Sequence, residues 1–345
     1  MGYLRAVCVL LSSGIFLFMG CSKNNNPVSF VDSYAVNFTE PKGTAYTGDF
    51  FPLREGYTCN YTGSASIRMQ MPMPAGYPSM DTTSDMPCIG MLKVLAPRSV
   101  SLKSGNYTLF PVVDYSEMDS SISQDTSRLY MKDAGTTYIK AMKLSDGSFM
   151  EVTDPIYLKS SLVVGDSWFT APDIDMSQLL TGELGSGTTI SNMTFNTKAK
   201  FLVVGKEQVS LPIGVRTAVR LDQANDITMS GTMVSDTVPV TMQVSGQLVE
   251  VYHLIADTGI AEQNLNGPIS IKMSAQGMTV NMTLTFKDCE LGLTGVSITS
   301  SSAMTPIAKK LMTSSSIPQF GTPFEEKCWK ISRVVAREIA KKLSL

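Results

Sequence analysis

Six cysteines, one histidine and 22 methionines are among the side chains of this 345-residue sequence whose chemistry goes beyond packing. His253 would have to anchor any Ser-His-Asp arrangement. Asp257 follows four residues later, but no G-x-S-x-G elbow accompanies them. In an extended run His253 projects away from Tyr252, and it is read as a structural residue, not a base. No H-E-x-x-H, phosphate loop or dinucleotide fingerprint occurs. No catalytic residue is assigned and no cofactor is expected. A hydrolase using paired carboxylates is the enzyme class left open, because such pairs converge in space and not in sequence.

Thioether sulfur is soft, polarizable and a ligand for Cu(I). The spacing Met69-Gln70-Met71-Pro72-Met73 puts Met69, Met71 and Met73 on one side of an extended chain, with Met80, Met86 and Met91 following. This resembles the methionine motifs of periplasmic copper-handling proteins; the plainer reading is an irregular Pro-rich loop. A second group is Met229, Met233, Met242, Met273, Met278 and Met282. Of these, Met242, Met278 and Met282, with Phe286, form a candidate face for an apolar ligand. The alternative is that they fill an irregular core.

Setting aside Cys8 and Cys21 leaves Cys59, Cys88, Cys289 and Cys328. An even count in an exported chain suggests disulfides, and four cysteines allow three connectivities. Locality favours Cys59–Cys88 and Cys289–Cys328. No CxxC or Cys/His cluster points to zinc.

These residues need elements to position them. Period-two alternation runs through Met193–Val203, Val215–Leu221, Val238–Val244 and Met278–Phe286, the pattern of half-buried strands. Turn chemistry falls at Asp146-Gly147, Gly205-Lys206, Asn225-Asp226, Ser235-Asp236, Ser245-Gly246 and Gln276-Gly277. Short connections join antiparallel neighbours. The expectation is a mainly β protein, an antiparallel meander forming a curved sheet, half-barrel or sandwich. Leu53-x-x-Gly56-x-x-Cys59 and Leu162-x-x-Gly165-x-x-Trp168 form a faint repeat, so the alternatives are one large β domain or two β subdomains built from the β-rich segments 46–150 and 151–298. A Ser/Thr/Pro linker (299–323) leads to an amphipathic helix (324–345). Phe324, Cys328, Ile331, Val335, Ile339 and Leu343 share its apolar face. The helix would pack on the sheet or dock on a membrane or a partner.

The charge of -2 and a pI near 5.6 leave no basic footprint for nucleic acid. At the start, Met1–Arg5 is short and positive, Ala6–Phe18 is apolar, and Phe18-Met19-Gly20-Cys21 ends the run. The run is too short for a membrane span and suits a signal peptide over 1–20. Its ending resembles the lipobox of bacterial lipoproteins, with Phe18 in place of the usual Leu. The resemblance implies cleavage before Cys21, lipidation there with acyl chains such as palmitate, and anchoring in the cell envelope. Ser22 favours the outer membrane by the same analogy. The polar segment from Cys21 to Ala45 would be the tether.

Three further elements resemble those of uncharacterised bacterial lipoproteins with an "FPL-x-x-G-x-x-W-x-Y" opening. They are Phe51–Gly56, Val209–Gly214 and Tyr252–Ile260, with Cys59 where the family has Trp and Ile213 where it has Ala. The family carries no assigned activity, so the resemblance implies fold and location. The expected function is a non-catalytic, lipid-anchored envelope lipoprotein binding an apolar ligand or a protein partner through its β face. The alternative is an assembly factor docking through the C-terminal helix.

Overall fold

A computed structural model describes residues 37–72, 79–118, 121–144, 146–155, 157–171, 188–235, 238–275 and 278–298. The signal segment, Cys21, Met73, the linker, the C-terminal helix and Cys328 lie outside them. Seventeen strands form: β1 (Ala45–Thr47), β2 (Tyr57–Met71), β3 (Met80–Val94), β4 (Arg98–Leu102), β5 (Gly105–Met118), β6 (Ser121–Asp125), β7 (Arg128–Asp133), β8 (Thr136–Lys143), β9 (Phe149–Glu151), β10 (Tyr157–Lys159), β11 (Ser161–Val163), β12 (Ser167–Thr170), β13 (Thr188–Leu211), β14 (Gly214–Ser235), β15 (Val238–Ile255), β16 (Gly259–Ala275) and β17 (Met278–Ile298). Among the described residues there is no helix.

All but β1 and β11, which pair with each other, belong to one antiparallel sheet. Its main path is β10-β8-β7-β5-β3-β2-β17-β16-β15-β14-β13-β12. The pairing of β2 with β17 joins the segments 46–150 and 151–298 into a single sheet, with register Tyr57↔Ile298 through Gln70↔Thr283. The path is not closed by backbone hydrogen bonds. Its two ends meet through Trp168 of β12, whose Nε1 donates to the Tyr157 carbonyl of β10 at 3.2 Å and whose ring stacks on Tyr157 at 6.0 Å.

The strands are longer than the turn signals imply. Gly205, Asn225-Asp226 and Ser245-Gly246 lie inside β13, β14 and β15 and do not end them. Each has a different physical reason. Gly205, at φ +137°, resumes pairing after a β-bulge that leaves Val204 without a register partner between Val203 and itself. Gly246 lets β16 approach closely, since a Cβ there would lie 2.6 Å from the Pro268 carbonyl oxygen. Asn225 belongs to a buried hydrogen-bond network. Asp146-Gly147 is a turn as read, with Gly147 at φ +85° and its N–H on the Leu144 carbonyl at 3.0 Å.

Further register breaks occur at Ser191/Thr194, Leu265/Gly267 and Lys287/Glu290. Bulges bend and twist the strands that carry them, which curls so long a sheet onto itself. The inner face buries the main core. It takes in Ile67, Met69, Met71, Met86, Met229, Met242, Leu284 and Phe286, together with Tyr130 and Ile139 from the far side of the curl.

The faint repeat has a structural counterpart. Gly56 (φ +78°) donates its N–H to the Val94 carbonyl and Gly165 (φ +90°) donates to the Val203 carbonyl, each at 2.9 Å. In both copies the following strand pairs with the one that supplies that carbonyl. The L-x-x-G pattern therefore encodes the same β corner twice.

Candidate functional site

Strand β15 carries the densest group of titratable side chains, and alternation sends them to opposite faces. Glu250 and Tyr252 point inward; His253 points outward. Inside, Glu250 accepts from Asn225 Nδ2 (2.7 Å), from Gln263 Nε2 (2.8 Å) and from the Tyr252 hydroxyl, and Gln223 Nε2 donates to Asn225 Oδ1 (2.6 Å). Burial raises the Glu250 carboxyl to about 7, against the pull of its three donors. Near Tyr252 lies Arg128, buried, with Nη1 3.2 Å from Asp114 Oδ2 and Nε 3.1 Å from Asp125 Oδ2. Burial also raises Asp114, to about 6, although Arg128 pulls it down. Around the fully buried Ala199, Thr170 Oγ1, Thr197 Oγ1 and Gln223 Oε1 find no partner among the described residues. Ordered water is the usual partner of such atoms.

This layer holds carboxylates with raised pKa values, the property expected of acid–base catalysts. The space beside them is small. The cavity bordered by Asp114, Arg128, Tyr130, Tyr252 and Gln263 is about 40 Å³, room for water but not for a sugar or lipid.

On the outer face, His253 is 6% exposed and held between two carboxylates. Nε2 bonds Glu207 and Nδ1 pairs with Glu262. Arg220 Nε and Nη2 make a two-point contact with Asp222 at 2.7 and 3.0 Å. Burial lowers the affinity of His253 for its proton, but the bonds to Glu262 and Glu207 outweigh this and its pKa is raised. Asp257 is not its partner. It sits in the β15–β16 turn at φ +60°, its N–H on the Asp49 carbonyl at 2.8 Å. No group of three or more His, Cys, Asp or Glu side chains among the described residues converges as metal ligands.

The other sequence-derived candidates fall as follows. Met242, Met282 and Phe286 share the inner face, as alternation predicts, but all three are buried in the core; the Met278 side chain lies outside the description. Met69 and Met71 also share that face and pack in the same core. The cavity flanked by Phe286 and Cys289 is about 30 Å³.

Cys59, Cys88 and Cys289 are free thiols, which corrects the expected Cys59–Cys88 bridge. Cys59 lies opposite Leu92 and Cys88 opposite Gly63, four residues apart along the pair. That separates them by roughly 13 Å at the strand rise, far beyond the ~7 Å Cα limit of a disulfide. Cys289 lies against the Ser66 carbonyl instead.

The three motif elements meet at one end of the sheet. A Cβ on Gly259 would lie 3.3 Å from Pro52, and the Tyr57 hydroxyl donates to the Thr258 carbonyl at 2.8 Å. Val209 and Leu211 pack with Ala261 and Ile255. Sequence reading passed over Glu207, Glu262 and Glu250, because each is brought to its partners by strand pairing and bulges and by no local motif.

No protein-family model matches the chain, and no curated protein matches it. Among solved structures it is similar to a candidate lipoprotein from Parabacteroides distasonis ATCC 8503, at 9% identity and a TM-score of 0.26, covering 73% of this chain and 99% of that one. It is similar too to an exported protein with a YmcC-like fold from Bacteroides fragilis NCTC 9343, at 10% identity and a TM-score of 0.23, covering 73% and 100%.

Proposed function

We propose that the protein is a lipid-anchored lipoprotein of the bacterial cell envelope that catalyses no reaction and holds a protein partner on its outer β face. The observation that carries this reading is the filled interior. The methionine-bearing face packs on the rest of the curled sheet, and the described cavities there are about 30–40 Å³. An apolar ligand needs roughly ten times that volume. The buried carboxylates are engaged by Tyr252, Asn225, Gln263 and Arg128, so none is left facing a substrate-sized space. The anchoring half rests on Met1–Cys21 and the lipobox resemblance. Lipid chains at Cys21 would hold the domain at the membrane, each buried methylene contributing ~0.8 kcal/mol, and Ser22 favours the outer membrane.

Two experiments test this. Palmitate labelling in the native host should be lost in Cys21→Ser; retained label would contradict the anchor. A photo-crosslinking residue at Ile89, an outward position 47% exposed on β3, should give a discrete protein adduct in cells. The same residue at Met242 should give only links within the chain. A lipid adduct at Met242 would favour the ligand carrier.

A further inference from the structure

The face of β13 changes at Gly205. Above it, Ala199, Phe201 and Val203 occupy odd positions and point inward. Below the bulge, odd positions Glu207, Val209 and Leu211 join the outer surface, where Glu207 reaches His253 and the two apolar residues pack on Ala261. The hairpin end continues over β17, where a Cβ on Gly292 would lie 3.1 Å from Pro212. Gly292 is the register partner of Glu262. The β13–β14 hairpin end thus lies over the outer faces of β15, β16 and β17 and covers a row of charges drawn from five strands.

Those charges are Glu207 on β13, Arg220 and Asp222 on β14, His253 on β15, Glu262 on β16 and Glu290 on β17. Glu290 shares a hydrogen bond with Glu262 and stands near Asp288. At the bend, Lys206 N–H donates to Glu40 at 3.2 Å. The Lys206 ammonium lies over the Tyr46 ring at 4.4 Å.

We propose that residues 206–218, the part of the β13–β14 hairpin beyond the first β14–β15 pair, form a pH-released latch, held on the outer face while His253 carries its second proton and freed when that proton leaves. Protonated, His253 donates from both ring nitrogens and ties the hairpin through Glu207 to β16 through Glu262. Deprotonated, one nitrogen presents a lone pair to a carboxylate, and Arg220 faces Glu207 and Asp222 without the second positive charge of His253. The direction follows from linkage. A histidine whose pKa is raised on folding contributes fully below its unfolded value of about 6.5, and the contribution is lost as pH rises through the folded value. Burial raises Asp222 and Glu290, which act in the same sense. Glu262, lowered by its bond to His253, sets the acid limit, because its contribution is lost as pH falls through its folded value. Release uncovers Val209, Leu211, Ala218 and Ala261.

His253 is the sole histidine, so its Cε1–H proton gives a single side-chain imidazole line for NMR. In the intact protein with labelled Leu and Ala methyls, the Leu211–Ala261 NOE should vanish over the same pH interval as His253 titrates, above 6.5. His253→Gln should remove that coincident transition. An NOE that survives where His253 is neutral would overturn the latch. Should His253→Gln not fold, Glu207→Gln serves instead. Removing one carboxylate should lower the His253 midpoint and the release midpoint together, and a release midpoint that does not move would overturn it.

Discussion

Glu250 accepts three hydrogen bonds yet titrates near 7, because each donor offsets only part of the cost of burying its charge. Tyr252→Phe removes the hydroxyl donor and leaves the ring. It should destabilise the fold by about 1–2 kcal/mol and raise the Glu250 midpoint further. Urea unfolding and carboxyl 13C titration read the two effects, and an unmoved midpoint would mean the hydroxyl does not serve Glu250. Gly63 meets a harder constraint. A Cβ there would run into the Glu290 carbonyl at the bulge of β17. Gly63→Ala should therefore cost on the order of 2–4 kcal/mol, seen as a lower denaturation midpoint. A neutral substitution would show that β17 can give way.

At the scale of elements, the sheet holds its long strands without a Cys59–Cys88 staple. Alkylation of unfolded, unreduced protein should label both thiols, and a pair that resists labelling until reductant is added would contradict the register of β2 and β3. Much of the element pattern was legible in the sequence. The parity of Met193 to Val203 and of Val280 to Phe286 gave the inner faces, and the L-x-x-G pairs gave two equivalent corners. Strand lengths were not legible, because Asn225 and Gly246 have turn chemistry when read locally. Only the partner strands explain them, through Glu250 for one and the close approach of Pro268 for the other. The same limit hid the His253 cluster. Its carboxylates lie 46 residues before it and nine after, and a bulge at Gly205 brings the first of them to its face.

Across the whole molecule, Glu250, Asp114 and His253 act in one direction, opposed by Glu262. Glu250 near 7, Asp114 near 6 and the raised His253 all make the folded state bind more protons than the unfolded chain. Stability should therefore fall as pH rises from about 5 to 8, with Glu250 alone accounting for on the order of 3 kcal/mol. The thermal midpoint should be higher at pH 5.5 than at pH 8; the reverse order would mean these groups are solvated. Among the described residues that interior is packed, apolar around the methionines and hydrogen-bonded around Glu250, which supports the proposal that the partner is held outside the sheet. Native mass spectrometry of the exported Cys21→Ser protein, purified gently from the envelope, tests this most directly. The account predicts the mass of the polypeptide without a lipid-sized adduct. A stoichiometric lipid-sized adduct would contradict it and make the inner face a binding site.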